Sequence, residues 1–139
     1  MGTALLRRAL LGWLLVVLCI TELPLAQGAD SAASPIRRYS IVSGAEGVPL
    51  NVIEQGAAGQ PVIVLVHGFG QSHASFEAQF TASELNRHFR RVSYDLRGHG
   101  LSGKPWSREA YTTSGNWADD LSRVIDATGA RKVVLLGWS

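Results

Sequence analysis

Three short segments of the 139-residue chain carry the residues whose types and spacing could do chemistry. They are His67 to Gly70, Asp95 to Ser102, and Gly137 to Ser139. A serine hydroxyl is a nucleophile when a base accepts its proton, and backbone N–H groups in a glycine-flanked loop can stabilise the oxyanion that the attack creates. Gly137 precedes Ser139 by two residues, which is the first half of the GxSxG turn that presents a nucleophilic serine.

Each of these segments directly follows a predicted β-strand. Residues 62–66 are five consecutive apolar residues, four of them β-branched, and this run predicts a strand buried on both faces. Val92 and Tyr94 alternate in a strand that ends at Asp95, and residues 133–136 form a second wholly apolar, buried strand. Ligands of open α/β sheets bind at the carboxyl ends of the strands, so we expect the site at this edge.

The elements before residue 90 are predicted from spacing. Residues 39–41 and 48–52 alternate between apolar and polar types on either side of Gly44 and Gly47, which predicts an early hairpin. Two phenylalanines four residues apart predict a helix over residues 76–85.

An amphipathic helix follows, with apolar residues at helical spacing: Trp117, Leu121, Val124, Ile125 and Thr128. Gly129 is placed as the C′ residue of this helix. Trp117 is expected in the helix core, and Trp138 is expected to pack beside Ser139. The alternation of buried strands with helices predicts an α/β, doubly wound sheet.

The N-terminal residues read as an export signal. A signal peptide is predicted over residues 1–28. Its positively charged start is followed by an apolar run from Ala9 to Ile20 and then by small residues that suit a cleavage site. The run is shorter than the ~20 residues that span a bilayer, which favours cleavage over a retained membrane anchor. We expect a linker over residues 29–37, a partial domain over residues 38–139, and a secreted or periplasmic product.

Composition argues against several classes of partner and cofactor. Lys and Arg total 13 against 11 Asp and Glu, with no basic run longer than two residues, so nucleic acid binding is not expected. The single cysteine, Cys19, lies in the predicted signal peptide, and the histidines lack HxxxH or HExxH spacing, so no metal site is expected. His73 occupies the third glycine position of a GxGxxG motif, which argues against a dinucleotide cofactor. We expect no cofactor.

From about residue 38 to residue 139 the chain resembles the α/β-hydrolase superfamily, specifically its branch with HGxG after the third strand and DxRGHGxS after the fourth. Seven positions carry the resemblance of the second segment: Asp95, Arg97, Gly98, His99, Gly100, Ser102 and Pro105. The resemblance implies the N-terminal part of a doubly wound, mostly parallel sheet, incomplete after the strand that precedes the nucleophile.

The resemblance also implies roles for individual residues. Ser139 would be the nucleophile, and the backbone N–H of Phe69 would be one oxyanion donor, while the Phe69 side chain would line the acyl pocket. A supporting role in loop shape is implied for His67, Gly68, Gly70, Asp95, Arg97, Gly98, His99, Gly100 and Gly137. Asp95 is expected to accept hydrogen bonds from loop N–H groups or from Arg97, and His73 and His88 are expected to be a loop residue and an exposed helix-end residue.

The function implied for the full-length protein is a serine hydrolase that cleaves a small ester or related carbonyl substrate through an acyl-enzyme. Related dehalogenases and epoxide hydrolases use aspartate at the elbow, whereas serine there points to esterases, carbon–carbon bond hydrolases and cofactor-free haloperoxidase-like enzymes. Residues 29–139 alone would lack the acid, the base and one oxyanion donor, so we expect them to be inert. They would also leave the apolar strand of residues 133–136 unpaired at an edge of the sheet, so we expect them to be poorly soluble. The alternatives are a non-catalytic, secreted hydrolase-fold binding protein and an inactive truncated product.

Overall fold

The computed structural model of the chain describes residues 36–139, which lie within one compact unit, Ala33–Ser139. The predicted signal peptide and most of the predicted linker lie outside the described residues.

A five-stranded mixed sheet forms the centre of this unit. Its strands are β1 (Arg38–Ser43), β2 (Pro49–Gln55), β3 (Val62–Val66), β4 (Arg90–Tyr94) and β5 (Val133–Gly137). The order across the sheet is β1-β2-β4-β3-β5. Strands β4, β3 and β5 are parallel to one another, whereas β2 is antiparallel to both β1 and β4.

Short helices connect the strands. The α-helices are α1 (Glu77–Thr81), α2 (Ser83–His88), α3 (Glu109–Thr112) and α4 (Ser114–Ala127). Two 3₁₀ helices cover Ala45–Gly47 and His73–Phe76. Helix α4 ends at the predicted place, because Gly129 follows its last turn with a φ of +66° that glycine adopts readily.

The predicted hairpin is confirmed. In the register of β1 and β2, Tyr39 faces Ile53 and Ile41 faces Asn51. The turn between the strands is closed by the amide of Gly47, which donates to the carbonyl of Gly44 at 3.1 Å. The hairpin lies at one edge of the sheet and extends it antiparallel to β4.

Two hydrophobic clusters cover the two faces of the sheet. One contains Val64 together with Val124 of α4, and the other contains Leu65 together with Phe76 and Phe80 from the segment before α2. Adjacent residues of a strand point to opposite faces, so a strand covered on both sides needs an uninterrupted apolar sequence. The prediction that β3 is buried on both faces is therefore confirmed.

The helix predicted over residues 76–85 is not continuous. It consists of the second 3₁₀ helix, α1 and α2, and Ala82 between α1 and α2 has an extended backbone (φ −62°, ψ +116°). The hydroxyl of Thr81 donates to the carbonyls of Glu77 and Ala78 at 3.1 and 3.2 Å. The amide of Ala82 still donates to the carbonyl of Ala78 at 3.0 Å, so the helical hydrogen bonds persist up to Ala82, where the extended backbone ends α1.

The last strand is apolar and lies at an edge of the sheet, as expected for residues 29–139 alone, but it is not buried within the described residues. Val134, Leu135 and Leu136 remain 55%, 52% and 43% exposed, and only Val133 packs against the core. The physical reason is position: β5 lies at the edge of the sheet, and within residues 36–139 it pairs with β3 alone. An apolar run predicts a strand, but its burial depends on which elements cover it.

Candidate active site

The three segments singled out in the sequence meet at one edge of the sheet. In the parallel register, Val66 at the end of β3 is level with Tyr94 at the end of β4 and with Gly137 at the end of β5. The loops that follow these strands therefore leave the sheet side by side. This placement follows from the chain direction, since parallel strands have their carboxyl ends on the same side.

Ser139 lies against the loop after β3. The amide of Trp138 donates to the carbonyl of Val66 at 2.9 Å, which holds the chain after β5 beside β3. A Cβ atom added at Gly68 would lie 2.9 Å from the carbonyl oxygen of Trp138 and 3.2 Å from the Cα of Ser139. Glycine at position 68 therefore permits close backbone contact, and it places Phe69 one residue from that contact.

His67 connects the loops after β3 and β4. The amide of Leu96 donates to Nε2 of His67 at 3.0 Å, so the proton of the neutral ring is on Nδ1, 2.8 Å from the carbonyl oxygen of Gly68. The side chain is 2% exposed. Burial lowers the pKa of His67 from its ordinary value, and the neutral form is the one that accepts the Leu96 N–H.

His99 makes a second connection between the same loops. The amide of Gly70 donates to Nε2 of His99 at 3.1 Å, and Nδ1 of His99 lies 2.9 Å from the carbonyl oxygen of Arg97. Gly70 has a φ of +73°, which turns its N–H toward His99. Both imidazoles thus contact backbone groups with both ring nitrogens.

Asp95 is the polar centre beneath the loops. Its buried carboxylate accepts hydrogen bonds from the amides of His73 and Leu101 at 2.7 and 2.8 Å, and from Nδ2 of Asn51 at 3.0 Å. Nδ1 of His73 lies 2.8 Å from the same carboxylate. Burial alone would raise the pKa of Asp95, but these hydrogen bonds together lower it.

Arg97 pairs with Asp120 of α4 and not with Asp95. Nε and Nη2 of Arg97 donate to the two carboxylate oxygens of Asp120 at 2.7 and 2.8 Å, and both side chains are buried. This bidentate contact raises the pKa of Arg97. The amide of Ala45 donates to the same carboxylate at 2.7 Å, which ties the turn after β1 to α4.

Asp120 was not among the residues predicted from the sequence. A signal was available, because Asp120 lies three residues after Trp117 and four before Val124, on the stripe of α4 that faces the core. A carboxylate on that stripe needs a buried cation, and Arg97 is that cation.

Two tryptophans differ from their predicted environments. Trp138 is 60% exposed and does not pack in the core. Trp117 is half-buried at the surface of α4, where its Nε1 donates to the carbonyl of Tyr111 at 3.0 Å. His88, by contrast, is an exposed residue at the end of α2, as predicted.

An open cleft of about 640 Å³ lies beside the loops after β3 and β4. Four rings line it, those of Phe69, His99, Tyr111 and Trp117. The Phe69 ring is 96% exposed on one side of this cleft. Within the described part of the chain, no group of three metal-ligating side chains occurs, and no helix is long and apolar enough to cross a bilayer.

A family model described as the α/β hydrolase fold matches residues 61–139. The chain belongs to this family. The match covers more than half of the chain and includes β3, β4, β5 and the three loops that follow them. It confirms the resemblance to the α/β-hydrolase superfamily and the predicted fold class.

Several relatives have comparable sequences and structures. Epoxide hydrolase A of Mycobacterium tuberculosis is 37% identical over 92 residues, covering 66% of this chain and 28% of the relative. The crystal structure of a candidate aryl esterase from Burkholderia cenocepacia has a TM-score of 0.71 and 44% identity, covering 73% of this chain and 37% of the esterase. Epoxide hydrolase VrEH1 of Vigna radiata has a TM-score of 0.65 and 30% identity, with coverages of 73% and 31%.

The chain spans only part of each relative. It covers 28% of epoxide hydrolase A, 37% of the aryl esterase and 31% of VrEH1. Fold and family are therefore established by residues that this chain contains, and the activity of the whole protein is a separate question.

Proposed function

We propose that the complete protein is a serine hydrolase that cleaves an ester or related carbonyl substrate through an acyl-enzyme. The observation that carries the proposal is the contact between Ser139 and Gly68, which puts a serine at the end of β5 one residue from the Phe69 amide. The relatives named epoxide hydrolase and aryl esterase support hydrolysis as the reaction class. The epoxide hydrolase branch uses aspartate at this position. Serine here therefore favours esterase activity over epoxide hydrolysis.

In the proposed reaction the Ser139 oxygen attacks the carbonyl carbon and transfers its proton to a general base. The backbone N–H of Phe69 stabilises the negative charge on the carbonyl oxygen. The C–O bond to the alcohol then breaks, the base returns the proton to the leaving alcohol, and water releases the acyl group by the same steps in reverse.

The histidines of the loops are not proposed as this base. Both ring nitrogens of His67 and of His99 contact backbone groups, and Nδ1 of His73 contacts Asp95. Loss of any of these contacts would release a loop. The proposal therefore requires a base and an acid from residues other than the described ones.

The test is made on the complete product of the reading frame that contains these residues. Ser139→Ala should lower kcat for short-chain p-nitrophenyl esters by about 10⁴-fold or more, because the nucleophile is lost, and should abolish covalent labelling by a fluorophosphonate. Ser75→Ala, at an exposed serine in the 3₁₀ helix after β3, is the control and should behave as wild type. Unchanged turnover and labelling in Ser139→Ala would contradict the proposal.

The same reading frame decides between catalysis and the two alternatives. The proposal expects a glycine two residues after Ser139, followed by an acidic residue and then a histidine. A continuous frame without this acid or histidine would instead support a non-catalytic binding protein, and a stop codon directly after position 139 would support an inactive truncated product.

We further propose that the protein is exported after removal of residues 1–28. N-terminal sequencing of the protein recovered outside the cytoplasm should begin at Ala29 or Asp30. A product that retains Met1 and stays with the membrane fraction would indicate an anchor.

A further inference from the structure

The cleft beside the loops after β3 and β4 is lined by a continuous row of rings. The Phe69 and His99 rings meet edge to face with centroids 5.7 Å apart, and the His99 and Trp117 centroids are 6.5 Å apart. Tyr111 and Trp117 continue the row at 6.3 Å. These separations are those at which aromatic side chains attract one another, so the row forms one connected surface.

Hydrogen bonds hold the rings in place. Nε1 of Trp117 donates to the carbonyl of Tyr111 at 3.0 Å, and the hydroxyl of Tyr111 donates to the carbonyl of Pro105 at 2.8 Å. His99 is fixed by its contacts with Gly70 and Arg97. The polar atoms of three rings are thus engaged within the protein, which leaves ring surface to contact a ligand.

The rest of the lining is small and uncharged. It consists of glycine backbone and Gln71, and no Asp, Glu, Lys or Arg is among the described residues that line the cleft. One of these glycines, Gly98, is so close to Tyr111 that an added Cβ would lie 2.7 Å from the ring. Small-molecule sites are concave and mostly apolar, with volumes of about 300–1,000 Å³, and this cleft of about 640 Å³ falls in that range.

Phe69 links the cleft to the proposed nucleophile along the chain, although Ser139 itself does not line the cleft. The Phe69 ring lines the cleft, while the preceding residue, Gly68, contacts Ser139. We propose that the cleft formed by Phe69, His99, Tyr111 and Trp117 binds an aromatic group of the substrate, which makes the substrates aryl-bearing esters. This inference rests on the proposed serine hydrolase activity and names its substrate class.

Trp117 is the residue to change, and Trp106 provides a matched control, since it is fully exposed and does not line the cleft. The substrates are benzyl acetate and butyl acetate, which share an acyl group and have alcohols of similar leaving ability. In the complete protein, Trp117→Ala should lower the preference for benzyl over butyl acetate, measured as a ratio of kcat/KM, by about tenfold, because a buried aromatic contact is lost. Trp106→Ala should leave the ratio unchanged.

A binding measurement separates this inference from the proposed mechanism. Calorimetric titration of benzyl acetate into Ser139→Ala should show saturable binding that is weakened about tenfold by adding Trp117→Ala, whereas Trp106→Ala should not weaken it. If Ser139→Ala binds benzyl acetate in this way but also keeps full turnover, the serine mechanism would be rejected. The inference that the cleft binds an aromatic group would still stand.

Three results would overturn the inference. The first is an unchanged ratio of kcat/KM for benzyl over butyl acetate in Trp117→Ala. The second is equal affinity of Ser139→Ala for the two esters. The third is a lower melting temperature of Trp117→Ala without a selective loss of activity toward benzyl acetate. The last would mean that the complete protein covers the cleft with its own residues. Tyr111→Leu serves as the second variant if Trp117→Ala does not fold, and the same three outcomes apply to it.

Discussion

At the residue scale, the position with the least room for a side chain is Gly100, which lies against the carboxylate of Asp95. The carboxylate of Asp95 lies directly under the loop that contains Gly100, because it accepts the amide of the next residue, Leu101, at 2.8 Å. A Cβ atom on Gly100 would lie 2.3 Å from the carboxylate carbon, and the residue has a φ of +45°. Both the contact and the backbone conformation therefore require glycine at this position.

Gly100→Ala should lower the free energy of unfolding by roughly 3 kcal/mol or more, since it combines a steric clash with backbone strain. Gly59→Ala is the control, because Gly59 has a φ of +86° but an added Cβ would have no atom within 4 Å. That variant should lose only about 1 kcal/mol. Urea unfolding of both variants in the complete protein measures the difference, and equal losses would contradict the steric argument.

The position of several of these residues in one loop could be predicted from the sequence. The spacing of Asp95, Gly98 and Gly100 placed them in one loop after a strand. It could not show that His73, from the loop after β3, would bring both its amide and its ring to the same carboxylate, because that contact depends on how far the two loops bend toward each other.

At the element scale, α4 is held to the sheet by more than its apolar stripe. Asp120 joins the helix to the loop after β4 through Arg97 and to the turn after β1 through the amide of Ala45. Nη1 of Arg97 also donates to the carbonyl of Ala110 at 2.8 Å. This bond holds α3 to the same arginine. One buried ion pair therefore joins four segments: α4, the loop after β4, the turn after β1 and α3.

Asp120→Ala should destabilise the protein by about 3–5 kcal/mol, because it leaves the buried Arg97 guanidinium with only the exposed Glu46 carboxylate, 4.0 Å away, as a counter-charge. Asp119→Ala, at the exposed neighbouring position of the same helix, should change stability by no more than about 0.5 kcal/mol. Thermal and urea unfolding compare the two. A small loss in Asp120→Ala would show that the pair is not needed to hold α4.

The elements themselves were predictable to different degrees. The apolar run of five residues correctly predicted β3, because side chains on both faces of this strand are buried in the two hydrophobic clusters. The break at Ala82 was not predicted, because the spacing of the two phenylalanines predicts a helix without marking where it is interrupted. The edge position of β5 was expected for residues 29–139 alone, but the exposed fraction of its side chains was not, because burial of a strand is decided by its neighbours in space.

At the scale of the whole molecule, two buried titratable groups make stability depend on pH in the same direction. His67 and Asp95 both have pKa values lowered by folding, from ordinary values of 6.5 and 3.8. The unfolded chain therefore takes up a proton at each group more readily than the folded chain does. Stability from either group is present above its ordinary pKa and declines as the pH falls below it.

Unfolding free energies measured in urea from pH 8 to pH 3 should fall in two stages, the first beginning near pH 6.5 and the second near pH 4. His67→Gln, which keeps an acceptor for Leu96, should remove the first stage, and Asp95→Asn should flatten the second. An unchanged decline below pH 6.5 in His67→Gln would assign that stage to another group. The order of the strands, which brings these groups together, could not be predicted from the sequence because it depends on long-range pairing.

The shared carboxylate of Asp95 has a consequence for motion. The amides of His73 and Leu101 lie 28 residues apart in the chain, yet both donate to this one side chain. The His73 amide donates to Oδ1 and the Leu101 amide to Oδ2, so neither loop can swing outward without breaking a buried charge-assisted hydrogen bond to the carboxylate that also holds the other loop. The two loops will therefore exchange their amide hydrogens with solvent in a single opening event, so that an occupant of the cleft, by restraining one loop, slows exchange in both.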